Sequence, residues 1–272
     1  VNKKRTTKHS MSEEAKDATI VNIPFVSFEE GDGEDGSAQN ITGQLSAGKK
    51  PCYCAATCHF SAVRFRIRGY DSDLTAIYMN GVPMENLDNG YTPYGVWGGL
   101  NDVLRSSESS LGMQAVRYAD GGLGGTGYLD TRAFKQWKQT KIVYSLSNRN
   151  YTNRIMITKS SGGFNKKGWA FSVSGSRRWA DEGFTDGTYY DGWSLYTGVD
   201  KKFNSHHLLS FVAFATPTEN GRQGASVREM LDIAGSNFYN PYWGYQNGKK
   251  RNASIAKSFQ PLGILTHDWK IN

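Results

Sequence analysis

The sequence predicts an α+β unit followed by the first antiparallel strands of an incomplete transmembrane β-barrel. Aromatic residues make up 13% of the 272 residues, and 31 glycines stand beside only 7 prolines, a composition that favours strands. From about Lys141 onward, apolar and polar residues alternate in successive runs. No run approaches the roughly 18 apolar residues of a transmembrane helix, whereas a barrel strand needs alternation over only about 9–11 positions.

Residues 1–40 are predicted to form a flexible lead segment. Residues 29–37 are almost entirely Asp, Glu, Gly and Ser, a composition that does not build a core. One extended apolar island, Thr19–Val26, interrupts this segment. Val1–Ile20 lacks the apolar region of a signal peptide, and the last residues stop on a strand-like pattern. We therefore expect a processed protein or a fragment.

Residues 41–138 are predicted to form the α+β unit. In Val63–Arg68, apolar and basic residues alternate, which indicates a strand with one buried face. Thr75–Met79 is predicted to be a second strand of the same sheet. The remaining predicted features are a tight turn, a short helix or turn, and a glycine-rich break: Asn80-Gly81, Gly98–Arg105 and Gly121–Gly127.

Residues 139–272 are predicted to form about six strands. The runs are Lys141–Ser147, Arg154–Lys159, Trp169–Arg178, Trp193–Val199, Leu209–Ala213 and Phe259–Trp269. Most runs have one apolar or aromatic face and one small, polar face. On a barrel strand, this pattern predicts that Trp169, Phe171 and Val173 face lipid, while Ser172 and Ser174 face the lumen.

The connections between these strands alternate in length. Gly162–Gly168 and Asn204–His207 are short, whereas Asp181–Gly192 is longer and Pro217–Lys257 spans about 40 residues. Short turns on one side and long loops on the other are typical of outer-membrane barrels. The brief Asn148–Asn153 link departs from this rule. A soluble β-sandwich remains the alternative fold, although a connection of 40 residues is less expected there.

Four motifs follow one another in the first half of the chain. They are Phe65–Asp71 (FRIRGYD), Ala76–Pro83 (AIYMNGVP), Trp97–Val103 (WGGLNDV) and Gly121–Arg132 (GGLGGTGYLDTR). Together they resemble the plug domain of TonB-dependent outer-membrane receptors and its junction with the barrel. The aromatic strands that follow resemble the start of the barrel in Bacteroidetes receptors, so that the resemblance extends from about Asn40 to Asn272.

This resemblance implies active uptake across the Gram-negative outer membrane. The plug would fill a lumen of about 22 strands, the size of plugged outer-membrane transporters. A ligand would bind from outside, and TonB with its inner-membrane motor proteins would pull on the periplasmic lead segment. The resemblance implies a transporter without a cofactor rather than an enzyme, with a surface lipoprotein as a possible partner. Siderophore, haem, cobalamin, oligosaccharide and peptide remain open as ligands.

The resemblance also assigns candidate site residues. The plug signature comprises Arg66, Arg68, Gly69, Asn80, Gly81 and Pro83. Arg66 and Arg68 either pair with acidic groups of the barrel wall or are solvated strand charges. The segment Thr19, Ile20, Val21 and Asn22 is similar to a TonB box, which adds a strand to TonB, although an ordinary linker has the same composition.

Two groups of aromatic residues are candidate ligand contacts. The plug residues Tyr91, Tyr94 and Trp97 occupy positions that the family places near the plug apex. The long connection carries Tyr239, Tyr242, Trp243 and Tyr245, a density that suits stacking on sugar rings or flat ligands. Packing of the connection onto itself or onto a partner explains the second group at least equally well.

Other functions have weaker support in the sequence. Gly122–Gly127 matches G-x-G-x-x-G, but the residues that follow predict a strand rather than the helix of a dinucleotide site. Cys52, Cys54 and Cys58 lack the second half of a zinc site, so no metal is predicted. The net charge of +7 is dispersed over the chain, which argues against nucleic-acid binding. A secreted or surface β-sandwich that binds glycans is the alternative function.

Overall fold

A computed structural model describes residues 74–88, 90, 92–104, 107–110, 113, 121–146 and 151–271. Several sequence predictions fall outside these ranges. They are the lead segment with Thr19–Asn22, the strand Val63–Arg68 with Arg66, Arg68 and Gly69, the three cysteines, and Tyr91.

Four strands form a small sheet in the first half of the chain. They are β1 (Thr75–Met79), β2 (Val82–Pro83), β3 (Ser107–Ser110) and β4 (Gly125–Leu129), in the order β2-β1-β4-β3. β1 and β4 run parallel, and the other two pairs are antiparallel. The predicted strand and tight turn are confirmed, because Asn80 (φ 52°) and Gly81 (φ 88°) join β1 to β2 with the positive φ values that Asn-Gly turns adopt.

The predicted glycine-rich break at Gly121–Gly127 is wrong in its second half. Gly125–Leu129 is the buried strand β4, which pairs with both β1 and β3. A Cβ on Gly122 would lie 2.7 Å from the carbonyl oxygen of Gly125, and one on Gly124 would lie 2.7 Å from the hydroxyl of Thr75. These glycines therefore allow close approach of the backbone at the start of the strand.

Two short 3-10 segments flank the small sheet, at Tyr94–Trp97 and Ala133–Lys135. Turns follow the first segment over residues 98–104, as the sequence predicted. The described residues between 74 and 138 hold no α-helix, so the α+β character expected of this unit is not seen in them.

The second half of the chain forms a large antiparallel sheet and a smaller hairpin. The elements are β5 (Gln139–Leu146), β6 (Asn153–Ser160), β7 (Trp169–Ala180), β8 (Tyr190–Lys202), β9 (His207–Ala215), β10 (Thr218–Gly221), α1 (Arg228–Ala234), β11 (Trp243–Gln246), β12 (Lys249–Asn252), β13 (Ile255–Ser258) and β14 (Leu262–Trp269). Of these strands, only β11 and β12 lie outside the large sheet, and they pair with each other.

Neighbours in the large sheet are also neighbours in sequence. β5, β6, β7 and β8 pair in succession, and β9 and β10 both pair with β8 as two parts of one interrupted strand. β14 pairs with β9, and β13 pairs with β10, so they form a second interrupted strand. The sheet therefore has six strand positions, which confirms the predicted number. It is not closed.

The long connection is more ordered than predicted. The expected loop Pro217–Lys257 contains β10, α1, the β11–β12 hairpin and most of β13. Only residues 222–254 therefore lie outside the large sheet. β10 and β13 are too short for their alternation to stand out, and they form because they extend the pairing of β9 and β14. α1 has seven residues and ends at Gly235 in the left-handed conformation (φ 65°). Within the described ranges, no helix is long and apolar enough to cross a membrane.

One hydrophobic core joins the two sheets. The small-sheet half contributes Ile77, Met79, Val96, Trp97, Leu100, Val103, Leu104 and Leu129, and the large sheet contributes Tyr196, Val212, Phe214 and Ile264. The large sheet thus covers the first half of the chain with one of its faces, which we call its inner face.

Candidate functional site

The two faces of the large sheet differ in chemistry as the sequence predicted. On β7, Phe171 is 46% exposed whereas its neighbour Ser172 is 1% exposed. The same alternation continues along β7 and β8, where small and polar residues point inward and apolar residues point outward. The inner face therefore contacts protein, and the outer face presents apolar side chains to the surroundings.

The inner face holds the Gly98–Leu104 turn through one carbonyl group. The Gly99 oxygen accepts hydrogen bonds from Arg154 Nη2 (3.0 Å) and Ser176 Oγ (2.8 Å). Gly99 has φ +80°, and a Cβ there would lie 2.8 Å from Arg178 Nε. Glycine at this position lets the turn adopt its conformation and lets the buried arginines approach its backbone.

Arg178 is fully buried in this contact region. Its guanidinium carbon lies 5.2 Å from the ring centre of Tyr190 and 5.9 Å from that of Tyr151. Cation–π contact of this kind partly offsets the loss of water around a buried cation. The rings also limit how far the Arg178 side chain can move away from Gly99.

Three further contacts tie the inner face to the first half of the chain. Thr216 Oγ1 donates to the carbonyl groups of Gly95 (2.8 Å) and Val96 (2.9 Å). Tyr196 Oη donates to the Thr131 oxygen at 2.5 Å, and the Phe134 amide donates to Asp200 Oδ2 at 2.7 Å. The bonds of Thr216 and Tyr196 are buried, so loss of either partner leaves a polar group without water.

Arg132 forms a bridge near the last strand of the large sheet. Its guanidinium contacts Asp130 and Asp268, each at 2.6 Å. Burial alone lowers the pKa of Arg132, but hydrogen bonding to Asp130 and the nearby charges of Asp130 and Asp268 raise it above its ordinary value. Arg132 therefore stays charged and links the first half of the chain to β14.

The outer face forms continuous apolar rows across the strands. In one row, Phe171 lies opposite Val199, Val199 opposite Phe211, and Phe211 opposite Leu265. In another row, Ile142 lies opposite Ile157, which faces Gly175 on β7. These rows cross strand boundaries without a second sheet packing on them in the described part of the chain.

Aromatic residues mark both ends of this apolar band. At the end with the short turns, Trp169 stacks on Phe171 and lies 4.7 Å from Lys201 Nζ. At the end with the long connections, Trp193 lies opposite Arg177. The guanidinium carbon of Arg177 is 5.0 Å from the ring centre of Trp193. Arg177 lies eight positions after Trp169 along β7. The two positions are about 27 Å apart along the strand.

The end of the sheet with the long connections, here called the loop end, carries the β11–β12 hairpin. Lys250 on β12 forms ion pairs with Glu182 and with Asp186 (3.1 Å) in the connection between β7 and β8. The hydrogen bond to Glu182 raises the pKa of Lys250 above its ordinary value. The same bond, assisted by the Gly187 amide, lowers the pKa of Glu182.

Two asparagines fix the loop-end connections to one another. Asn252 Nδ2 donates to the carbonyl groups of Gly187 (2.9 Å) and Arg222 (2.8 Å). Asn240 Nδ2 donates to the carbonyl groups of Asp186 (3.0 Å) and Arg222 (3.2 Å). Both side chains are buried. Their hydrogen bonds to backbone carbonyl groups hold the hairpin against the β7–β8 connection.

The predicted loop aromatics lie together at the loop end but in different surroundings. Trp243 packs directly against Gly187, so that a Cβ at residue 187 would overlap the Trp243 side chain. Lys250 Nζ lies 4.4 Å from the ring centre of Trp243. Tyr242 is partly exposed beside Gly224, and Tyr239 is half-buried. Tyr245 is 72% exposed, so it is the member of this group with the most surface to offer a ligand.

The plug-signature residues that the structure describes hold the first half of the chain together. Asn80 is buried, and its side chain exchanges two hydrogen bonds with Thr131, each of 2.9 Å. Gly81 and Pro83 lie at the exposed β1–β2 turn. Trp97 is 1% exposed and belongs to the core, so its ring is not presented to a ligand in this structure. Tyr94 lies in the first 3-10 segment.

This architecture is similar to that of solved receptors and transporters. The ferric citrate transporter FecA, in its unliganded form, matches with a TM-score of 0.53 and 14% identity over 76% of this chain. The chain shares the fold of this transporter. The ferric enterobactin receptor PfeA matches with a TM-score of 0.47 and 13% identity over 77% of this chain. The siderophore receptor PiuA from Acinetobacter baumannii matches with a TM-score of 0.41 and 14% identity over 59%.

The chain spans only part of each of these structures. It covers 30% of FecA, 33% of PfeA and 21% of PiuA. The structures are receptors or transporters rather than enzymes. No family model matches the sequence, and no curated protein matches it significantly.

Sequence reasoning missed the residues that join the two sheets. Arg154, Arg178 and Asp200 stand at buried, inward positions of β6, β7 and β8, where most of the other inward residues carry no charge. A charge at such a position is the one signal that marks a contact with another part of the protein. In the described residues, no group of three or more metal-ligating side chains occurs.

Proposed function

We propose that this chain is the plug domain and the first barrel strands of a receptor for TonB-energised uptake across the outer membrane. The plug comprises residues 41–138, and the barrel strands begin near residue 139. In this assignment, the inner face of the large sheet is the lumen wall, and its outer face contacts lipid. The fold shared with FecA, which belongs to the TonB-dependent outer-membrane receptors, supports the assignment.

The opposite chemistry of the two sheet faces is the observation that carries this proposal. A soluble β-sandwich buries its apolar face against a second sheet and exposes its polar face to water. Here the inner face, which is small and polar along β7 and adds a few apolar residues to the core on β8, β9 and β14, is buried against the first half of the chain, and the apolar face is exposed. A barrel that contacts lipid outside and a plug inside has this arrangement. The glycan-binding β-sandwich is therefore not favoured.

The open edges of the large sheet fit a larger barrel. β5 and the interrupted strand of β13 and β14 are its two edge strands among the described elements. Within a bilayer, the unpaired backbone N–H and C=O groups of an edge strand have no hydrogen-bond partners. Only a closed barrel pairs all of them. We propose that further strands pair with these edges and complete a barrel of about 22 strands, the size of plugged outer-membrane transporters.

Labels on adjacent residues of β7 test the proposed membrane exposure. A spin label at Phe171 is expected to be accessible to a lipid-soluble quencher, and a label at Ser172 is expected to be shielded from it. The reason is that the two side chains point to opposite faces of the same strand. The measurement is relaxation of each label in the full-length protein reconstituted in lipid vesicles. Equal accessibility of the Phe171 label to a water-soluble and a lipid-soluble quencher contradicts the assignment.

Energy coupling is assigned to the segment Thr19–Asn22. It is apolar, it lies between polar stretches, and it precedes the plug in sequence. A segment that adds a strand to TonB relies on main-chain hydrogen bonds, so its extended state matters more than its side chains.

Replacement of Ile20 by proline tests this coupling segment. Proline removes a backbone donor, so Ile20→Pro is expected to abolish energised uptake while ligand binding at the cell surface stays nearly unchanged. Uptake and surface binding of the same radiolabelled ligand are measured in cells that produce the full-length receptor. Ile20→Ala is the matched control, because it shortens the side chain but keeps the donor. Normal uptake by the proline variant would place the coupling segment elsewhere.

The ligand is assigned to the loop end, on the side of the external connections. Tyr239, Tyr242, Trp243 and Tyr245 gather there, and Tyr245 is the most exposed of them. The surface lipoprotein partner suggested by the resemblance belongs to the same end.

A further inference from the structure

Three of the five histidines of the chain lie at the end of the large sheet with the short turns. His206 directly precedes β9, His207 is its first residue, and His267 lies on β14, which pairs with β9. Side chains two residues apart on a strand point to the same face. His207 therefore shares the outward direction of Phe211, and His267 shares that of Leu265. Residues 60 positions apart in sequence thus become neighbours on the outer face.

The two outward histidines meet through one ring nitrogen each. In the register of β9 and β14, His207 lies opposite Trp269 and His267 lies opposite Leu209, so the histidines are diagonal neighbours. His207 Nδ1 is 3.2 Å from His267 Nε2, whereas the ring centres are 5.3 Å apart. The nitrogens therefore lie on the facing edges of the two rings. One of them donates a hydrogen bond to the other, and the tautomers decide which one donates.

The separation of these two nitrogens matches that of two ligands on one metal ion. Imidazole nitrogen binds Zn²⁺ at about 2.0–2.1 Å, so two such nitrogens are about 2.9 Å apart at a right angle and about 3.4 Å apart at the tetrahedral angle. The observed 3.2 Å lies within this range. Rotation of the two rings turns the facing nitrogens from each other towards a shared ion. The ring that donated the hydrogen bond then carries its proton on its other nitrogen, so the proton balance is unchanged.

The backbone on which His207 stands is fixed by the turn before it. Asn204 Oδ1 accepts hydrogen bonds from the amides of His206 and His207, both at 2.8 Å. The Phe203 amide donates to the His207 oxygen at 3.0 Å, and the Lys270 amide donates to the His206 oxygen at 2.9 Å. Only side-chain torsions therefore change when an ion binds, which lowers the entropic cost of binding.

We propose that His207 and His267 bind a divalent transition-metal ion of the class of Zn²⁺ and Cu²⁺, with water as the remaining ligands. Imidazole is a preferred ligand of these ions, and neither ring is buried, so water reaches the other coordination positions. His206 is not part of the site, because its Nδ1 faces the hydroxyl of Ser205 at 3.1 Å. The bound ion ties β9 to β14 beside the turn. The site rests on the pairing of these two strands and not on the membrane assignment.

Copper binding by the full-length protein tests this site. Cu²⁺ is titrated into the protein in detergent, and electron paramagnetic resonance records the imidazole nitrogens bound to the ion. His207→Gln and His267→Gln are each expected to weaken binding at this site about 100-fold, because a single ligand loses the gain that two linked ligands provide. The wild-type spectrum minus that of either variant is expected to show two nitrogens on one ion. Excess Zn²⁺ is expected to displace this signal.

His206→Gln is the matched control, because it removes the neighbouring histidine from the same turn. It is expected to keep both the copper affinity and the two-nitrogen signal of the wild-type protein. Urea unfolding without added metal is expected to be nearly the same for all three variants, since none of the three rings is buried. Unchanged copper affinity in His207→Gln or His267→Gln, or an equal loss in His206→Gln, would overturn the site.

Discussion

Replacing Gly99 with alanine is expected to weaken docking of the first half of the chain on the large sheet by about 2–4 kcal/mol. About 1–2 kcal/mol comes from a side chain at positive φ, and the rest from overpacking. The new Cβ would lie 2.8 Å from Arg178 Nε and 3.0 Å from Ser194 Oγ. Arg178 cannot retreat easily, because it is buried and its guanidinium packs against the rings of Tyr151 and Tyr190.

Hydrogen exchange of the Val103 amide measures this effect. Val103 N donates to the Leu100 oxygen at 3.1 Å within the buried turn that Gly99 begins. In the full-length protein, Gly99→Ala is expected to accelerate exchange of this amide by a factor between about 30 and several hundred. The increase follows because the turn opens more often when its backbone contact with the sheet is strained.

Gly81→Ala provides the matched control for backbone strain. Gly81 also has positive φ (+88°), but a Cβ there has nothing within 4 Å. The control is expected to accelerate Val103 exchange less than Gly99→Ala does, by at most about 5- to 30-fold, because it adds about 1–2 kcal/mol of strain without steric conflict. Equal acceleration by the two variants would mean that the large sheet does not hold the Gly99 turn.

The strands were predictable because each carries its own signal. On β7, the apolar residues Trp169, Phe171 and Val173 alternate with small residues, including two serines. This pattern predicts from the sequence alone which face of the strand is apolar. The β1–β2 turn was predictable for a similar reason, since Asn80-Gly81 specifies a turn type locally. Such features need no knowledge of the rest of the fold.

Features that depend on distant partners were not predictable. Gly125–Leu129 is a strand only because β1 and β3 lie on both sides of it, and its glycines suggested a break. β10 and β13 form by extending neighbouring strands, so their short sequences carry little signal of their own. Trp97 is an aromatic residue, a type that suits ligand binding and core packing alike. Only the tertiary structure shows that it packs in the core.

Replacing Ile157 with arginine is expected to destabilise the full-length protein in a bilayer by about 2–3 kcal/mol. Ile157 lies on the outer face between Ile142 and Gly175, inside the apolar band. An arginine on the lipid face costs about 2–4 kcal/mol at the midplane and less towards the interfaces. The measurement is the free energy of unfolding in urea after folding into phosphatidylcholine vesicles, followed by tryptophan fluorescence.

Ile255→Arg is the matched control, because it places the same charge on the same residue type with the same exposure. Ile157 is 50% exposed and Ile255 is 49% exposed, and both point outward from the large sheet. Ile255 lies beyond the aromatic end of the band, so arginine there is expected to cost less than about 1 kcal/mol. In a soluble β-sandwich, both changes would be surface substitutions within about 0.5 kcal/mol of neutral. A large loss at Ile157 together with a small one at Ile255 therefore requires lipid against the outer face, and two small losses would remove the membrane assignment.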